Sequence, residues 1–205
     1  MSGGRARTAV LISGRGSNLK ALIDACASKD FPAEIVLVVS NVESAGGLQY
    51  ARDANIPAVV IPHKPFPTRE AFDAEIDAAL REAEVALVCE AGFMRIHSEW
   101  FVKRWEGRIL NIHPSLLPKF PGVRVHEQVL AAHETESGAT VHFLTPALDA
   151  GPIIAQARVP VLPGDTVETL SARVLAVEHT LYPDALKLVA QSRVRLENGK
   201  AVATV

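Results

Sequence analysis

With 205 residues, the chain is long enough to bury most of the surface that its unfolded form exposes, which suits one globular unit. It is 48% hydrophobic and 21% charged with a formal net charge of −2, a balance that excludes disordered and fibrous classes and offers no basic field for nucleic acid. The cysteines, Cys26 and Cys89, both fall in apolar runs and read as buried reduced thiols, which points to a reducing compartment. The N-terminal MSGGRARTAVLIS has too short an apolar stretch for a signal-peptide core, and no segment approaches the ~18 apolar residues of a membrane span. A cytoplasmic protein is expected.

Thr8 to Ser13 is a β-branched and aliphatic run closed by Gly14-Arg15-Gly16, after which Leu19, Leu22, Ile23 and Cys26 recur at helical spacing. Glu34 to Ser40 reads as a second strand, Gly46 to Ala54 as a weak helix, and Ala58 to Ile61 as a third strand stopped by Pro62. Arg69 to Arg81 sets Phe72, Ile76 and Leu80 on one helical face, and Val85 to Cys89 and Arg108 to Ile112 supply the next strands. This alternation predicts a parallel sheet covered on both faces, with ligands at the carboxyl ends of its strands.

Beyond His113 the character changes. Ala139 to Leu144 and Ile153 to Val159 are separated by too few residues for a crossover helix, so they are expected to pair antiparallel. A last helix opens at Asp165, with Glu168 placed as in a capping box, and carries Val167, Leu170, Val174, Val177 and Leu181 as its core stripe. The expected fold is α/β in three layers: a mostly parallel twisted sheet of about seven strands with helices on both faces. Its N-terminal half is Rossmann-like, and its C-terminal half holds the antiparallel strand pair and the long helix. Residues 1–205 read as a single domain, and Pro114 to Gly122 as its longest loop, beside a strand end where loops often carry function.

The segment Ser13-Gly14-Arg15-Gly16-Ser17-Asn18 joins a strand to a helix, so backbone N–H groups and the positive helix end are available to an anion. A plain glycine turn with Ser17 as N-cap is the competing reading. Leu19 and Lys20 stand where a dinucleotide site needs its third glycine, the second strand ends in Ser40-Asn41 rather than an acid, and the Gly-Lys-Ser/Thr of a P-loop is missing. A site for a single phosphate is the remaining functional reading.

Asn111 and His113 are two apart in a strand and project to one face, while Pro114 keeps the strand from continuing. An amide donor beside an imidazole suits stabilisation of negative charge on a carbonyl oxygen together with acid or base chemistry; a satisfied structural pair is the alternative. Asp149, between two strands that return to the sheet, supplies a carboxylate that can favour and orient the imidazolium. No nucleophile stands out: Ser115 has no nucleophile elbow and the cysteines look buried. His126, His133 and His142 lack ligand spacing, so no metal is expected.

SGRGSNL at 13–19, AGFMRI at 91–96, NIHPSLLPKFPG at 111–122 and LDAGPII at 148–154 together resemble the phosphoribosylglycinamide formyltransferase family, over roughly Thr8 to Arg195. The resemblance implies formyl transfer from 10-formyltetrahydrofolate to the amine of glycinamide ribonucleotide in purine synthesis, without a metal. It implies Asn111, His113 and Asp149 as the catalytic trio; Gly16, Ser17, Asn18 and Glu178 as substrate contacts; and Arg69, Met94, Arg95, Ile96, His97, Asn111 and Pro146, Ala147, Leu148, Asp149 as the folate pocket. Residues 1–110 would then be the phosphate-binding half and 111–205 the catalytic and folate-binding half. Glu178 is placed off the apolar stripe of the last helix, where composition alone makes it an exposed charge.

Two positions depart from the family pattern. His97 replaces an aliphatic residue, and Glu90 an apolar one; a buried Glu90 needs a donor or water. Small molecules are the expected partners, with neither nucleic acid nor membrane, in a monomer or homodimer. The alternatives are a formyltetrahydrofolate hydrolase or a formyltransferase acting on another amine, both usually with an added domain for which 205 residues leave no room. A non-catalytic phosphate- or folate-binding module would not need Asn111, His113 and Asp149 together.

Overall fold

The computed structural model describes residues 4–204; Met1 to Gly3 and Val205, which the leader and single-domain readings include, lie outside the described residues. Five strands run parallel: β1 (Ala6–Ile12), β2 (Ala33–Ser40), β3 (Ala58–Val60), β4 (Leu87–Glu90) and β5 (Ile109–His113). The strands β6 (Glu136–Phe143) and β7 (Ile153–Pro160) complete the sheet antiparallel, in the order β3-β2-β1-β4-β5-β6-β7. This is the expected doubly covered sheet. The order reverses between β1 and β4, which opens a crevice at their carboxyl ends.

Strand alternation builds the two helical layers. Val10 and Ile12 of β1 pack with Leu19 and Leu22 of α1 (Ser17–Cys26) and with Leu170, Val174 and Tyr182 of α6 (Val167–Ala190). Ala9 and Leu11 face the other way, onto Phe72, Ile76 and Leu80 of α3 (Arg69–Glu82) and Phe101 and Trp105 in and after α4 (Glu99–Arg104). All four β1 residues are fully buried, which explains why this strand reads as an unbroken apolar run. Two further helices, α2 (Gly47–Asp53) and α5 (Val125–Ala131), are one to two turns long. Cys26 and Cys89 are buried free thiols, and burial pushes the Cys26 thiol up to about 12.

Three elements were not expected: α4, α5 and the hairpin of β8 (Val194–Glu197) and β9 (Lys200–Ala203). The start of α6 also differs from the expected cap. Thr166, not Asp165, is the N-cap, and it exchanges side-chain and backbone hydrogen bonds with Thr169. Asp165 instead accepts from the Arg173 guanidinium, which with the Leu162 N–H holds its carboxyl below the usual carboxylate range.

The α6 stripe needs correction as well. Its buried face runs Leu170, Val174, Glu178, Leu181 and Tyr182, so Glu178 lies on the stripe and is 6% exposed, while Val177 is half-buried. Period-3.6 spacing permits this, since 174, 178 and 182 are successive i,i+4 positions. The Tyr182 hydroxyl, wholly buried, reaches the carbonyls of Glu90 and Leu110 at 2.9 Å each and ties α6 to the ends of β4 and β5.

Candidate active site

At the end of β1 the chain turns through Gly14 and Arg15 into α1, whose N-cap is Gly16 with φ 77° and no side-chain cap. Ser17 is therefore not the N-cap, and the first N–H groups of α1 are not spent on a side chain. A Cβ on Gly16 would stand 2.5 Å from the Gly47 Cα, so both the positive φ and the close approach of α2 demand glycine. The Ser13 hydroxyl donates to Asn41 Oδ1 at 2.5 Å and accepts from the Met94 N–H at 2.8 Å, stitching the ends of β2, β1 and β4 together.

Asn18 reaches across to α6, donating from Nδ2 to Glu178 Oε2 at 2.8 Å. Burial raises the Glu178 carboxyl, and the Asn18 bond partly offsets it. Asn18 Oδ1 is buried without a donor among the described residues. Gly16, Ser17, Asn18 and Glu178 thus form one cluster at the mouth of α1, with unspent donors and acceptors.

A cavity of about 670 Å³ opens beside it, over the ends of β4 and β5. Met94, Arg95, Ile96, His97, Asn111, His113, Pro146, Ala147, Leu148 and Asp149 all line it. Arg69 does not: it is the exposed first residue of α3, outside the cavity lining. Apolar side chains of its lining, Met94, Ile96, Val123 and Leu148, are exposed, a pattern that suits an apolar ligand.

Inside the cavity, His113 Nδ1 lies 3.5 Å from Asp149 Oδ2, and both side chains are buried. The other ring nitrogen, Nε2, donates to the Phe120 carbonyl at 2.8 Å. Asp149 Oδ2 also accepts from the Gly122 N–H at 2.7 Å, so the carboxylate holds both the imidazole and the loop beyond it. Asp149 has φ 49°, a conformation disfavoured for a non-glycine residue that aims its side chain back at β5. Two residues on, a Cβ on Gly151 would collide with the Phe143 carbonyl, so the turn that carries Asp149 depends on glycine there.

Asn111 is held from the neighbouring strand. It is paired in register with His142 of β6, whose Nε2 stands 3.3 Å from Asn111 Nδ2. His142 Nδ1 donates to the Phe143 carbonyl at 2.9 Å, which leaves Nε2 of the neutral ring as an acceptor for the Asn111 amide. Burial lowers the His142 pKa, against opposing contributions from that carbonyl and from Asp149, and so favours the neutral ring. Considered in sequence only as a metal ligand, His142 is here a neighbour of the trio. The signal was the antiparallel pairing itself, which no spacing along one strand reveals.

Glu90 and His97 form part of the same wall. Nδ1 of His97 lies 2.6 Å from Asp73 Oδ1, and its Nε2 lies 2.9 Å from Glu90 Oε1. Burial opposes the charged ring, but the Asp73 and Glu90 carboxylates on either side prevail and raise its pKa to about 9. The charge that pairs with a buried Glu90 is therefore carried by the other departing residue. His126, also at the cavity, is lowered by burial and by the nearby His113.

An amide and an imidazole–carboxylate pair thus stand over strand ends of a Rossmann-like sheet, on the side of a helix N-terminus open to an anion, a set of donors and an acid–base group suited to acyl transfer. Residues 6–186 match the formyl transferase family, and the chain belongs to that family. It is 44% identical to the phosphoribosylglycinamide formyltransferase of Escherichia coli K12, over 94% of this chain and 91% of that protein. It is 53% identical to the human trifunctional purine biosynthetic protein adenosine-3, over 96% of this chain but only 20% of the human protein. Among solved structures, glycinamide ribonucleotide transformylase 1 from Symbiobacterium toebii superposes with a TM-score of 0.95 at 42% identity, over 100% of both chains. A formyltetrahydrofolate deformylase from Pseudomonas syringae superposes at 0.88 with 27% identity, over 98% of this chain and 67% of that one.

Proposed function

We propose that the protein transfers the formyl group of 10-formyltetrahydrofolate to the amine of glycinamide ribonucleotide, as one formyltransferase domain of purine biosynthesis. The observation that carries this reading is the meeting of Asn111, His113 and Asp149 in one cavity. The cluster of Gly16, Ser17, Asn18 and Glu178 supplies the second half of the site, holding the phosphate on the N–H groups of α1 and the ribosyl portion near Glu178. The cavity, apolar at its rim and polar at its base, fits a bicyclic ring with an aryl tail.

In this scheme the substrate amine attacks the formyl carbon directly. Asn111 Nδ2 and an N–H of His113 donate to the oxygen on which charge develops, and Asp149 orients the imidazole and assists proton movement through water to the leaving nitrogen. Because Nε2 of His113 now donates to the Phe120 carbonyl, donation from that nitrogen requires the 114–122 loop to release it. The site chemistry needs neither a protein nucleophile nor a metal.

Mixing protein, 10-formyltetrahydrofolate and glycinamide ribonucleotide, and following folate absorbance, tests the reading. Absorbance change only when the amine is present supports it. Change independent of the amine favours hydrolysis of the donor instead, a reading to which the Pseudomonas syringae neighbour, named a formyltetrahydrofolate deformylase, is relevant.

A further inference from the structure

Asp73, His97 and Glu90 form a buried row that ends in the cavity wall. The His97 ring stacks between Phe93 and Phe101, at centroid distances of 5.2 and 4.3 Å, and cannot turn away. Asp73 is fully used, since Oδ1 faces His97 and Oδ2 accepts from the Ser98 N–H at 2.5 Å. Glu90 is not. Its Oε1 faces His97 Nε2 at 2.9 Å, an ion pair off the hydrogen-bonding direction, and Oε2 has no hydrogen-bond donor among the described residues. A carboxylate 5% exposed, with one oxygen left over at a cavity wall, can take a donor from water or from a ligand that displaces it.

Position says which donor. Glu90 is in register with Asn111 across β4 and β5, so their side chains stand on one face about 4.8 Å apart, and both line the cavity. When a formyl group on the folate N10 lies against Asn111, the nearest ring donor is the N5–H of the reduced pteridine, three bonds from N10. An aliphatic side chain in place of Glu90 offers that N–H nothing.

We propose that Glu90, held by His97 and Asp73, is a specificity residue whose carboxylate accepts a hydrogen bond from a ring N–H of the formyl donor, selecting reduced pteridines over ring-carbon analogues. This rests on the folate reading above. The test compares kcat/KM for 10-formyltetrahydrofolate and for 10-formyl-5,8-dideazafolate, which has carbon at both ring positions, in the wild type, Glu90→Gln and the double variant Glu90→Leu/His97→Leu. The preference for the reduced donor falls about 10- to 100-fold in the double variant, the discrimination that one charge-assisted hydrogen bond supplies, and less in Glu90→Gln. A merely structural role moves both donors together and leaves the ratio alone. An unchanged ratio in a folded double variant overturns the proposal while leaving the transferase reading intact. If the wild type shows no amine-dependent transfer, that reading fails separately, and fluorescence titration with the same two folates still decides: equal affinities in the wild type overturn the proposal.

Discussion

His142 of β6 accepts the Asn111 amide across the antiparallel register that joins β6 to β5, with 3.3 Å between Nε2 and Nδ2. The neutral ring is therefore the positioning partner of the residue proposed to meet the formyl oxygen. Removing Asn111 (Asn111→Ala) is expected to lower kcat by ~10²–10³, the usual cost of one oxyanion donor. His142→Ala should lower kcat by a smaller factor, with KM for either substrate little changed. Protonation of His142 turns an acceptor into a donor facing a donor, so part of the activity loss at acidic pH should disappear in His142→Gln. Steady-state pH profiles of the two proteins check this.

Asp149→Asn keeps the size of the side chain and an oxygen for the Gly122 N–H, but removes the charge 3.5 Å from His113. Turnover is expected to fall by ~10²–10⁴, the range for a positioned acid or base, with the far-ultraviolet circular dichroism unchanged. Near-normal turnover in both Asp149→Asn and His113→Ala would remove these residues from the mechanism.

At the other end of the site, Gly16→Ala places a methyl group against Gly47 at a positive φ. The end of α1 proposed to seat the phosphate must shift, so KM for the phosphorylated substrate should rise at least tenfold while folate affinity changes little. Equal effects on both ligands would argue against a phosphate at this helix.

The buried imidazole of His97 links pH to stability. Its pKa rises from 6.5 to about 9 on folding, so its contribution is complete below about pH 6.5 and disappears as pH climbs through 9. The size of the shift corresponds to about 3 kcal/mol at most. Urea melts at pH 6 and pH 9.5 should show the wild type losing stability across that window and Glu90→Leu/His97→Leu losing less. His97→Leu alone strands Asp73 and Glu90 and should cost ~3–5 kcal/mol at neutral pH.

Much of this architecture was readable from the chain. Most sheet strands appear as apolar runs because β1, β2, β4 and β5 are parallel and largely buried on both faces, and residues 144–152 are too few to allow anything but an antiparallel return. Short helices such as α4, six residues capped by Ser98, carry too few turns for a periodic signal. Side chains that meet across elements were harder still. His142 is defined by its cross-strand partner, and Glu178 sits on a buried stripe where Asn18, from another helix, supplies its hydrogen bond. Glu90 and His97 looked like separate anomalies in sequence because residues seven apart acquire meaning only when a strand end folds back on its own loop.

The strand order has a consequence for what the protein can accept. The α1 end follows β1, and Asn111 lies on β5, two strands over with β4 between them. Neighbouring strands are ~4.8 Å apart, so the proposed phosphate seat and the amide are separated laterally by about 10 Å, a length fixed by backbone hydrogen bonds rather than by side chains. The sheet thus acts as a ruler. A molecule with its phosphate and its amine at opposite ends of one substituted pentose spans the marks; free glycinamide and the dephosphorylated riboside fall short of the first.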